Sequence, residues 1–324
     1  MYRANKMETQ GVHVVFGAGQ VGSHLCESLL RSGAKVRVAK RSPTGIPDGA
    51  ERALGDATDL GFCKESVVGA QVVYHCMNPA YSAPVWEEIL PKYLENLIAA
   101  AGSVGARLVV LENLYMMGAG DGGPINEETP VNPRSRKGEI RARLAEDLFA
   151  AHERGDVRAV AGRASDFYGP RGVRTHFADR FWGPALAGKP AEFLPNPDNP
   201  HTYHFIPDVA EGLKQLGSGP DKILGRPWML PCAPAETSRA IVDRFARVLG
   251  KDIALRGMPK IALKAIGLVV PIVREVGEML HQWESPFIVD DARFRAEFDA
   301  SATDPDEGAA RTVEWARAQF GRAF

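Results

Sequence analysis

The stretch 12-VHVVFGAGQVGSHL-25 decides the fold of this chain. Its first five residues are apolar or β-branched and predict a buried strand, and the pattern after the loop predicts a helix. Between them lies G-x-G-x-x-G, formed by Gly17, Gly19 and Gly22. In that context the pattern is a dinucleotide fingerprint: the glycines permit a tight turn, a close backbone approach to a pyrophosphate, and close helix–strand packing. The helix N-terminus would supply free N–H groups to the phosphates. A merely flexible glycine turn is the alternative.

Strand and helix patterns alternate through the rest of the first half. Short apolar runs predict strands at 36–39, 71–76, 107–111 and 157–163, and helical patterns cover 20–31, 85–101 and 137–152. Buried strands separated by helices indicate βαβ units and a parallel sheet covered on both faces. The predicted fold class is therefore α/β, a Rossmann-type doubly wound parallel sheet with a smaller C-terminal substrate-binding domain.

The domain boundaries follow from where this alternation ends. Residues 1–170 are predicted to form the cofactor-binding domain, and 201–225, a strand end running into a helix, is expected to pack back onto it. Residues 171–200, rich in Pro and Gly, and residues 226–324, which end in a capped helix at 304–320, are expected to bind the substrate.

Composition limits the partners. The net charge of −1 gives no electrostatic reason to expect nucleic acid or an anionic membrane. The four cysteines are far apart, which argues against a zinc site or a disulfide framework and suits a cytoplasmic protein. Residues 1–10 are too polar for a signal peptide. The most apolar window, 261–280, is interrupted by charges and Pro271. We interpret it as a buried or ligand-covering helical segment, with membrane contact as the alternative.

The end of the second strand bears on the choice of cofactor. An NAD-binding unit places Asp or Glu there to hold the ribose 2′-hydroxyl. This chain has Lys40 and Arg41 instead, which would attract a 2′-phosphate. NADP(H) is therefore favoured over NAD(H), and a solvated basic turn is the alternative.

Several motifs in order make the chain resemble the short-chain dehydrogenase/reductase superfamily, in its extended, epimerase-like branch. They are the glycine loop, GDATD (55–59), VVYHCMNPA (72–80), GRASDFYGP (162–170) and HTYHFIPDVA (201–210). The resemblance implies a cofactor site that includes Gln20, Val21, Asp56, Ala57, Cys76 and Asn78 together with the three loop glycines. It also implies a small-molecule substrate and a homodimer formed through helices near 85–102 and 137–152.

The family's catalytic residues are where the sequence departs from this pattern. Members resemble one another in a Ser/Thr and a Tyr-x-x-x-Lys pair, which supply a proton at the reacting oxygen. Counting from Gly118 puts Asn113 at the Ser/Thr position, and counting back from Glu146 puts Gly138 and Ala142 at the Tyr and Lys positions. Using Lys137 instead would put Pro133 at the Tyr position, so neither register restores the pair.

Tyr115 is the substitute acid that the sequence offers. In the dehydratases of this family, the two residues after the Ser/Thr position are an acid and a base that face the substrate, and here these are Leu114 and Tyr115. The Asn113 amide could donate to the same oxygen. The alternative is that Tyr115 packs at the end of the strand.

Other candidate residues have weaker support. The charges of 134-RSRKGEIRARLAED-147 suit a solvated helix face, with anion binding in the cleft as the alternative. His201 and His204 are expected near the cleft rim, but they lack a nearby third ligand, so no metal is predicted.

Three classes of function remain open. The first is an NADP(H)-dependent oxidoreductase or epimerase with a relocated proton donor, acting on a small carbonyl or alcohol. The apolar segments 181–188 and 258–273 indicate a fairly apolar ligand. The second is a non-catalytic NADP(H) sensor or interaction protein. The third is a cofactor-assisted isomerase or cyclase.

Overall fold

The computed structural model describes residues 11–118 and 123–321, except for the side chains of residues 260 and 264. The polar N-terminus, on which the signal-peptide prediction rests, lies outside the described residues.

Thirteen strands and eleven α-helices are present in this part of the chain. The strands are β1 (Val12–Phe16), β2 (Lys35–Lys40), β3 (Glu51–Leu54), β4 (Ala70–His75), β5 (Arg107–Asn113), β6 (Arg158–Ala164), β7 (Asp166–Tyr168), β8 (Ala191–Glu192), β9 (Pro200–His201), β10 (Tyr203–Phe205), β11 (Pro227–Met229), β12 (Glu236–Thr237) and β13 (Leu255–Arg256). The helices are α1 (Gly22–Arg31), α2 (Leu60–Ser66), α3 (Ala83–Ser103), α4 (Arg136–Glu153), α5 (Asp179–Leu186), α6 (Ile206–Ser218), α7 (Ser238–Leu249), α8 (Lys260–Gly267), α9 (Pro271–Gly277), α10 (Ala292–Phe298) and α11 (Pro305–Phe320).

Seven of the strands form one sheet in the order β11-β6-β5-β4-β1-β2-β3. The pairs β1–β2, β1–β4, β2–β3 and β4–β5 are parallel. The strand order reverses beside β1, and in open α/β sheets such a switch point is where ligands bind, outside the carboxyl ends of the strands. The predicted doubly wound α/β fold is confirmed.

The chain divides into two compact units. Unit 1 comprises residues 1–112, 140–163 and 209–228, and unit 2 comprises 113–139, 164–208 and 229–324. Unit 1 contains most of the seven-stranded sheet. Residues 113–139, which the sequence suggests for the first domain, cluster with unit 2 in the structure.

Unit 2 has an aromatic core. Phe177, Phe181, Trp182 and Phe245 are at most 1% exposed and pack with edge-to-face geometry or tilted rings. The interpretation of 181–188 as ligand-lining is therefore wrong for its two aromatic side chains, because both belong to this core.

The sequence patterns missed two regions of regular structure. The turn-rich stretch after β2 contains β3 and α2, and α2 begins after Asp59, whose carboxylate accepts from the Gly61 and Phe62 amides. The Pro- and Gly-rich stretch after residue 169 contains α5, which includes Pro184. Within the described residues, none of the helices has the length and apolar character needed to cross a membrane.

Candidate cofactor and active site

The glycine loop has the geometry that its sequence predicts. Gly17 adopts a φ of +93°, where a side chain would be strained. A Cβ at Gly22 would lie 1.9 Å from the Gly17 carbonyl oxygen, so only glycine permits this close approach of helix and strand. A Cβ at Gly19 would have no neighbour within 4 Å, so the space beside the loop is open.

The first turn of α1 is suited to an anion. Val21 at its N-cap provides no side-chain cap, and the turn contains no acidic residue. Because no side chain caps the helix, its N-terminal dipole favours a phosphate here. Gln20, half-buried, and Val21, buried, complete the loop between Gly19 and the helix. Together with the open space at Gly19, these features fit the pyrophosphate of a dinucleotide.

The end of β2 carries the two expected cations. Lys40 is half-buried and donates from Nζ to the Thr44 carbonyl oxygen at 2.6 Å, and Arg41 is exposed. Acidic residues are absent from 36–47, so no carboxylate follows the strand at the place where an NAD-binding unit would have one.

Asp56 follows β3, the neighbour of β2. Its Oδ1 accepts from the amide and the hydroxyl of Thr58, both at 3.0 Å. The buried Ala57 accepts at its carbonyl oxygen from Asn96 Nδ2 at 2.9 Å. These bonds hold the segment after β3 in a defined conformation with Asp56 half-buried.

The segment after β4 approaches the glycine loop. The Cys76 amide donates to Phe16 O at 2.9 Å, and a Cβ built at Gly17 would lie 2.8 Å from Met77 Cγ. Burial raises the pKa of the Cys76 thiol, so this thiol stays protonated near neutral pH. Asn78 accepts at Oδ1 from Arg141 Nη2 at 2.9 Å.

Arg141 corrects one prediction about α4. Its guanidinium lies 4.8 Å from the centre of the Trp86 ring, and the residue is only 7% exposed. The solvated-face interpretation is therefore wrong for Arg141, which binds Asn78 and stacks on Trp86. It is right for Arg143, which is exposed and pairs with Glu87 at 3.5 Å.

His75 at the end of β4 is a neutral, buried acceptor. Burial, together with the charge of Arg141, lowers its pKa to about 3. Its Nδ1 accepts from the Met77 amide at 3.2 Å and thereby fixes the start of the segment after β4.

Asn113 and Tyr115 lie at the carboxyl end of β5 in unit 2. Both are half-buried, whereas Leu114 and Met116 are buried. Asn113 Oδ1 accepts from the Tyr115 amide at 3.3 Å, which leaves the Asn113 NH₂ group available as a donor. This orientation fits the donor role that the resemblance gives to Asn113.

Gly138, at the position matched to the family's tyrosine, packs tightly against this turn. A Cβ at Gly138 would lie 2.6 Å from the Tyr115 carbonyl oxygen and 3.0 Å from Ser135 Oγ. A larger residue at 138 would therefore have to displace the backbone of the turn that carries Tyr115.

Lys137 is the second correction to the solvated-face interpretation. Its side chain is fully buried, donates to Glu275 Oε2 at 2.6 Å and also binds Glu278. Glu275 lies in α9 and Glu278 directly follows it. Because α9 is far from Lys137 in the sequence, no local pattern could predict this cluster. The spacing rules for helical charges see only i,i+3 and i,i+4 neighbours.

Unit 2 also contains a buried histidine cluster that the sequence placed wrongly. His201 and His204 are fully buried and do not lie at a rim. His201 Nε2 is 2.9 Å from Asp166 Oδ2, and its ring stacks on Trp283 with centres 4.4 Å apart. Burial alone would raise the pKa of Asp166, but the hydrogen bond and the electrostatic interaction with His201 lower it overall.

His204 is neutral in this cluster. Burial lowers its pKa to about 4, although a bond to the Leu230 carbonyl oxygen partly offsets this effect. Among the residues that the structure describes, no three His, Cys, Asp or Glu side chains are arranged to bind a metal ion.

Comparisons with known proteins identify the family of this chain. The family model described as "NAD dependent epimerase/dehydratase family" matches residues 13–225. UDP-glucuronic acid decarboxylase 1 of Danio rerio is 24% identical over 233 residues, which cover 65% of this chain and 55% of that protein. UDP-glucuronic acid decarboxylase 4 of Arabidopsis thaliana is 27% identical, over 66% of this chain and 52% of that protein. The chain thus spans about half the length of the curated relatives it matches.

Solved structures share the fold over nearly the whole chain. One is UDP-glucuronic acid 4-epimerase from Bacillus cereus in complex with NAD, which superposes with a TM-score of 0.77 at 16% sequence identity. The superposition covers 95% of this chain and 99% of the epimerase chain. UDP-glucose 4-epimerase from Thermus thermophilus, also with NAD, gives 0.75 at 20% identity, with 94% and 99% covered. Since the family model matches well over half of the chain, this protein belongs to the NAD dependent epimerase/dehydratase family, within the extended short-chain dehydrogenase/reductase superfamily.

Proposed function

We propose that this protein is an NADP(H)-dependent oxidoreductase or epimerase-like enzyme that acts on a carbonyl or alcohol, with Tyr115 as its proton donor. The glycine loop carries the proposal: only glycine fits at Gly22, the space at Gly19 is open, and α1 begins without a cap. When bound, the nicotinamide cofactor supplies the redox equivalents that interconvert an alcohol and a carbonyl. Gly17, Gly19, Gln20, Val21 and Gly22 would hold its pyrophosphate, and the segments at 56–57 and 76–78 would line the rest.

The preference for NADP(H) rests on the end of β2. Lys40 and Arg41 would pair with a 2′-phosphate, and no carboxylate stands there to repel it. The two solved structures named above contain NAD. In this chain, the cations Lys40 and Arg41 would shift the cofactor preference from NAD(H) to NADP(H).

Binding measurements with two variants test this preference. In Lys40→Ala/Arg41→Ala the affinity for NADPH should fall at least tenfold, while that for NADH stays within about twofold, because only NADPH has the 2′-phosphate. Lys35→Ala is the matched control, since Lys35 is an exposed cation at the opposite end of the same strand. Equal affinity of the native protein for NADH and NADPH would refute the preference.

The proton donor is proposed from the geometry of the β5 end. A carbonyl that is being reduced needs a proton at its oxygen, and a positioned acid contributes roughly 10²–10⁴-fold to the rate. The partly accessible Tyr115 phenol would supply it, and the Asn113 NH₂ group would donate to the same oxygen. Tyr115→Phe should therefore lower kcat at least 100-fold with NADPH binding unchanged. An unchanged kcat would mean that Tyr115 only packs at the end of the strand.

The proposed substrate is a small, fairly apolar carbonyl or alcohol. Of the two apolar segments that indicate such a ligand, 181–188 contributes Phe181 and Trp182 to the core of unit 2. An apolar substrate is therefore supported by the buried part of 258–273, which includes Leu263, and not by its exposed tip. Assays should therefore compare small apolar ketones and enones with UDP-glucuronic acid, the nucleotide sugar named for the curated relatives.

A second candidate function is a non-catalytic NADP(H) sensor. Gly138 and Ala142 at the positions matched to the acid and its lysine favour it. Thermal unfolding with NADPH, NADP⁺, NADH and NAD⁺ comes first, because a ligand that binds the folded state raises Tm. A rise in Tm without turnover of any carbonyl, alcohol or nucleotide sugar would support the sensor. A rise in Tm with product formed but without net oxidation or reduction of the cofactor would support a cofactor-assisted isomerase. No shift with any of the four would remove all three candidates.

We also propose a homodimer formed through α3 and α4. These helices lie side by side in unit 1, joined by the stack of Arg141 on Trp86 and the Arg143–Glu87 pair. Light scattering after size-exclusion chromatography tests the proposal, and a mass of one chain at micromolar concentration would refute it.

A further inference from the structure

Residues 258–274, the apolar hairpin, expose more aliphatic surface than any other stretch of similar length in the described chain. Of the thirteen exposed large hydrophobic residues there, six lie in this segment: Met258, Ile261, Leu268, Val269, Val270 and Ile272. Leu268 is 84% exposed and Val269 79%, and both lie at the turn between α8 and α9. The expectation that this window is buried is therefore wrong for its tip. Clustered exposed aliphatic side chains mark an interaction site, whereas scattered ones do not.

The root of the apolar hairpin is fixed in unit 2. Leu263 is 5% exposed, and Met279, just after α9, is 2% exposed. Glu275 and Glu278 bind the buried Lys137. A fixed root with an exposed tip is the arrangement of a docking element.

The charge of the apolar hairpin is of one sign. Its sequence contains Lys260, Lys264 and Arg274 and no acidic residue. The acids that follow, Glu275 and Glu278, share the single cation of Lys137, so this group has a formal charge of −1 and offsets only one of the three positive charges. Because the whole chain has a net charge of −1, the sequence of the apolar hairpin is more basic than the remainder of the chain, which is net negative.

The backbone amides of the tip are already hydrogen-bonded. The amide of Leu268 donates to Ala265 O at 3.3 Å, and the amides of Val269 and Val270 both donate to Ile266 O, at 3.0 and 2.8 Å. These three donors therefore need no water, which lowers the cost of moving the tip into an apolar phase. A helix of eight residues spans about 12 Å, far less than the hydrocarbon core, so the tip could enter a bilayer surface but not cross it.

We propose that the apolar hairpin docks this protein onto the surface of an anionic lipid bilayer. The aliphatic tip enters the boundary between headgroups and acyl chains, and the three cations bind lipid phosphates. A second copy of the chain is the less favoured occupant. A two-fold symmetric contact would bring the same three cations of each copy together, and like charges oppose such an interface.

Flotation of the full-length protein with vesicles tests the docking. We expect binding to vesicles of phosphatidylcholine with 30 mol% phosphatidylglycerol, and at least tenfold weaker binding to phosphatidylcholine alone or in high salt. Leu268→Ser/Val269→Ser should weaken binding to the anionic vesicles at least tenfold. Leu54→Ser/Val68→Ser is the matched control, because it also replaces two exposed aliphatic residues, and it should bind like the native protein.

Charge variants test the second half of the proposal. Lys260→Gln/Lys264→Gln/Arg274→Gln should lose the preference for anionic vesicles. The control Arg52→Gln/Lys64→Gln, with two exposed cations outside the hairpin, should keep it.

The same variants are examined by light scattering and circular dichroism. Native-like spectra and mass, together with lost vesicle binding, support docking. Absence of vesicle binding by the native protein overturns it. A second outcome would also overturn the docking proposal: Leu268→Ser/Val269→Ser changes the mass from that of a dimer to that of a monomer, and vesicle binding is unaffected. The apolar hairpin would then be a self-association surface. None of these outcomes depends on turnover or on cofactor binding.

Discussion

Replacing Lys137 tests how the start of α4 is held in unit 2. Its fully buried ammonium lies 2.6 Å from Glu275 Oε2 and also binds Glu278, and the Glu275 side chain is only 7% exposed. Lys137→Met keeps the length of the aliphatic stem but removes the ammonium that binds the buried Glu275 carboxylate. Loss of this ion pair removes the attraction that offsets the desolvation of the Glu275 carboxylate.

The expected loss in the free energy of unfolding follows from these exposures. Removing one partner of a buried pair costs about 3–5 kcal/mol. Glu278, at 26% exposed, regains hydration when its partner is lost, and contributes no more than a surface pair would. We therefore expect a loss of about 3 kcal/mol, which comes mainly from Glu275. Lys137→Met/Glu275→Leu removes both buried charges and should recover most of this loss.

Urea unfolding followed by tryptophan fluorescence measures these differences, since Trp182 and Trp283 are buried in unit 2. Arg143→Met is the matched control, because its pair with Glu87 is exposed and should contribute less than about 0.5 kcal/mol. A loss below about 1 kcal/mol for Lys137→Met would refute the reasoning. So would a double variant that is less stable than Lys137→Met.

Three further predictions concern the loop, the turn and the histidines. Gly22→Ala should abolish measurable NADPH binding in calorimetry, because its Cβ would lie 1.9 Å from Gly17 O; an unchanged Kd would contradict the packing described for the loop. Gly138→Ala should cost about 1–3 kcal/mol in urea unfolding and lower any turnover, since its Cβ would meet the Tyr115 carbonyl oxygen at 2.6 Å; native stability would contradict this. The third concerns pH. Burial lowers the pKa of His204 from 6.5 to about 4, so the unfolded chain binds the extra proton between these values. The contribution of His204 to the free energy of unfolding is therefore fully present above pH 6.5 and falls toward pH 4. Between pH 7 and pH 5 the loss should be at most about 2 kcal/mol. A free energy of unfolding that does not change over this range would count against a neutral, buried His204.

Much of unit 1 could be predicted from the sequence because its signals are local. The run VHVVF corresponds to β1 residue for residue, and the predicted helix at 137–152 is within one residue of α4 at each end. Buried parallel strands are continuous apolar runs, and a glycine loop has few structural alternatives in that context. The sequence signals for β3 and α2 are weaker because these elements have mixed composition. In addition, α2 begins with a cap at Asp59, which lies in a turn-rich stretch and could not be distinguished from a turn residue.

The environment of the charged residues on α4 could not be predicted, for a physical reason. Whether a lysine on a helix is solvated or buried depends on what packs over it, and the partners of Lys137 are 138 and 141 residues away. The same holds for His201, which was expected at a rim and instead stacks on Trp283 beside Asp166. Side-chain spacing along one helix or strand has no information on such distant partners.

Gly138 and Tyr115 connect the departure in sequence to the proposed chemistry. A tyrosine placed at 138 could not occupy that site with the present backbone, because its Cβ alone would lie 2.6 Å from the Tyr115 carbonyl oxygen. The backbone that carries Tyr115 is in turn held by Asn113 and by Gln282, whose Nε2 donates to Leu114 O and Gly118 O at 3.2 and 3.0 Å. Restoring the family's acid at 138 would thus displace the turn that presents the substitute. This packing supports our proposal that the proton donor is Tyr115, on the β5 turn, and not a residue on α4.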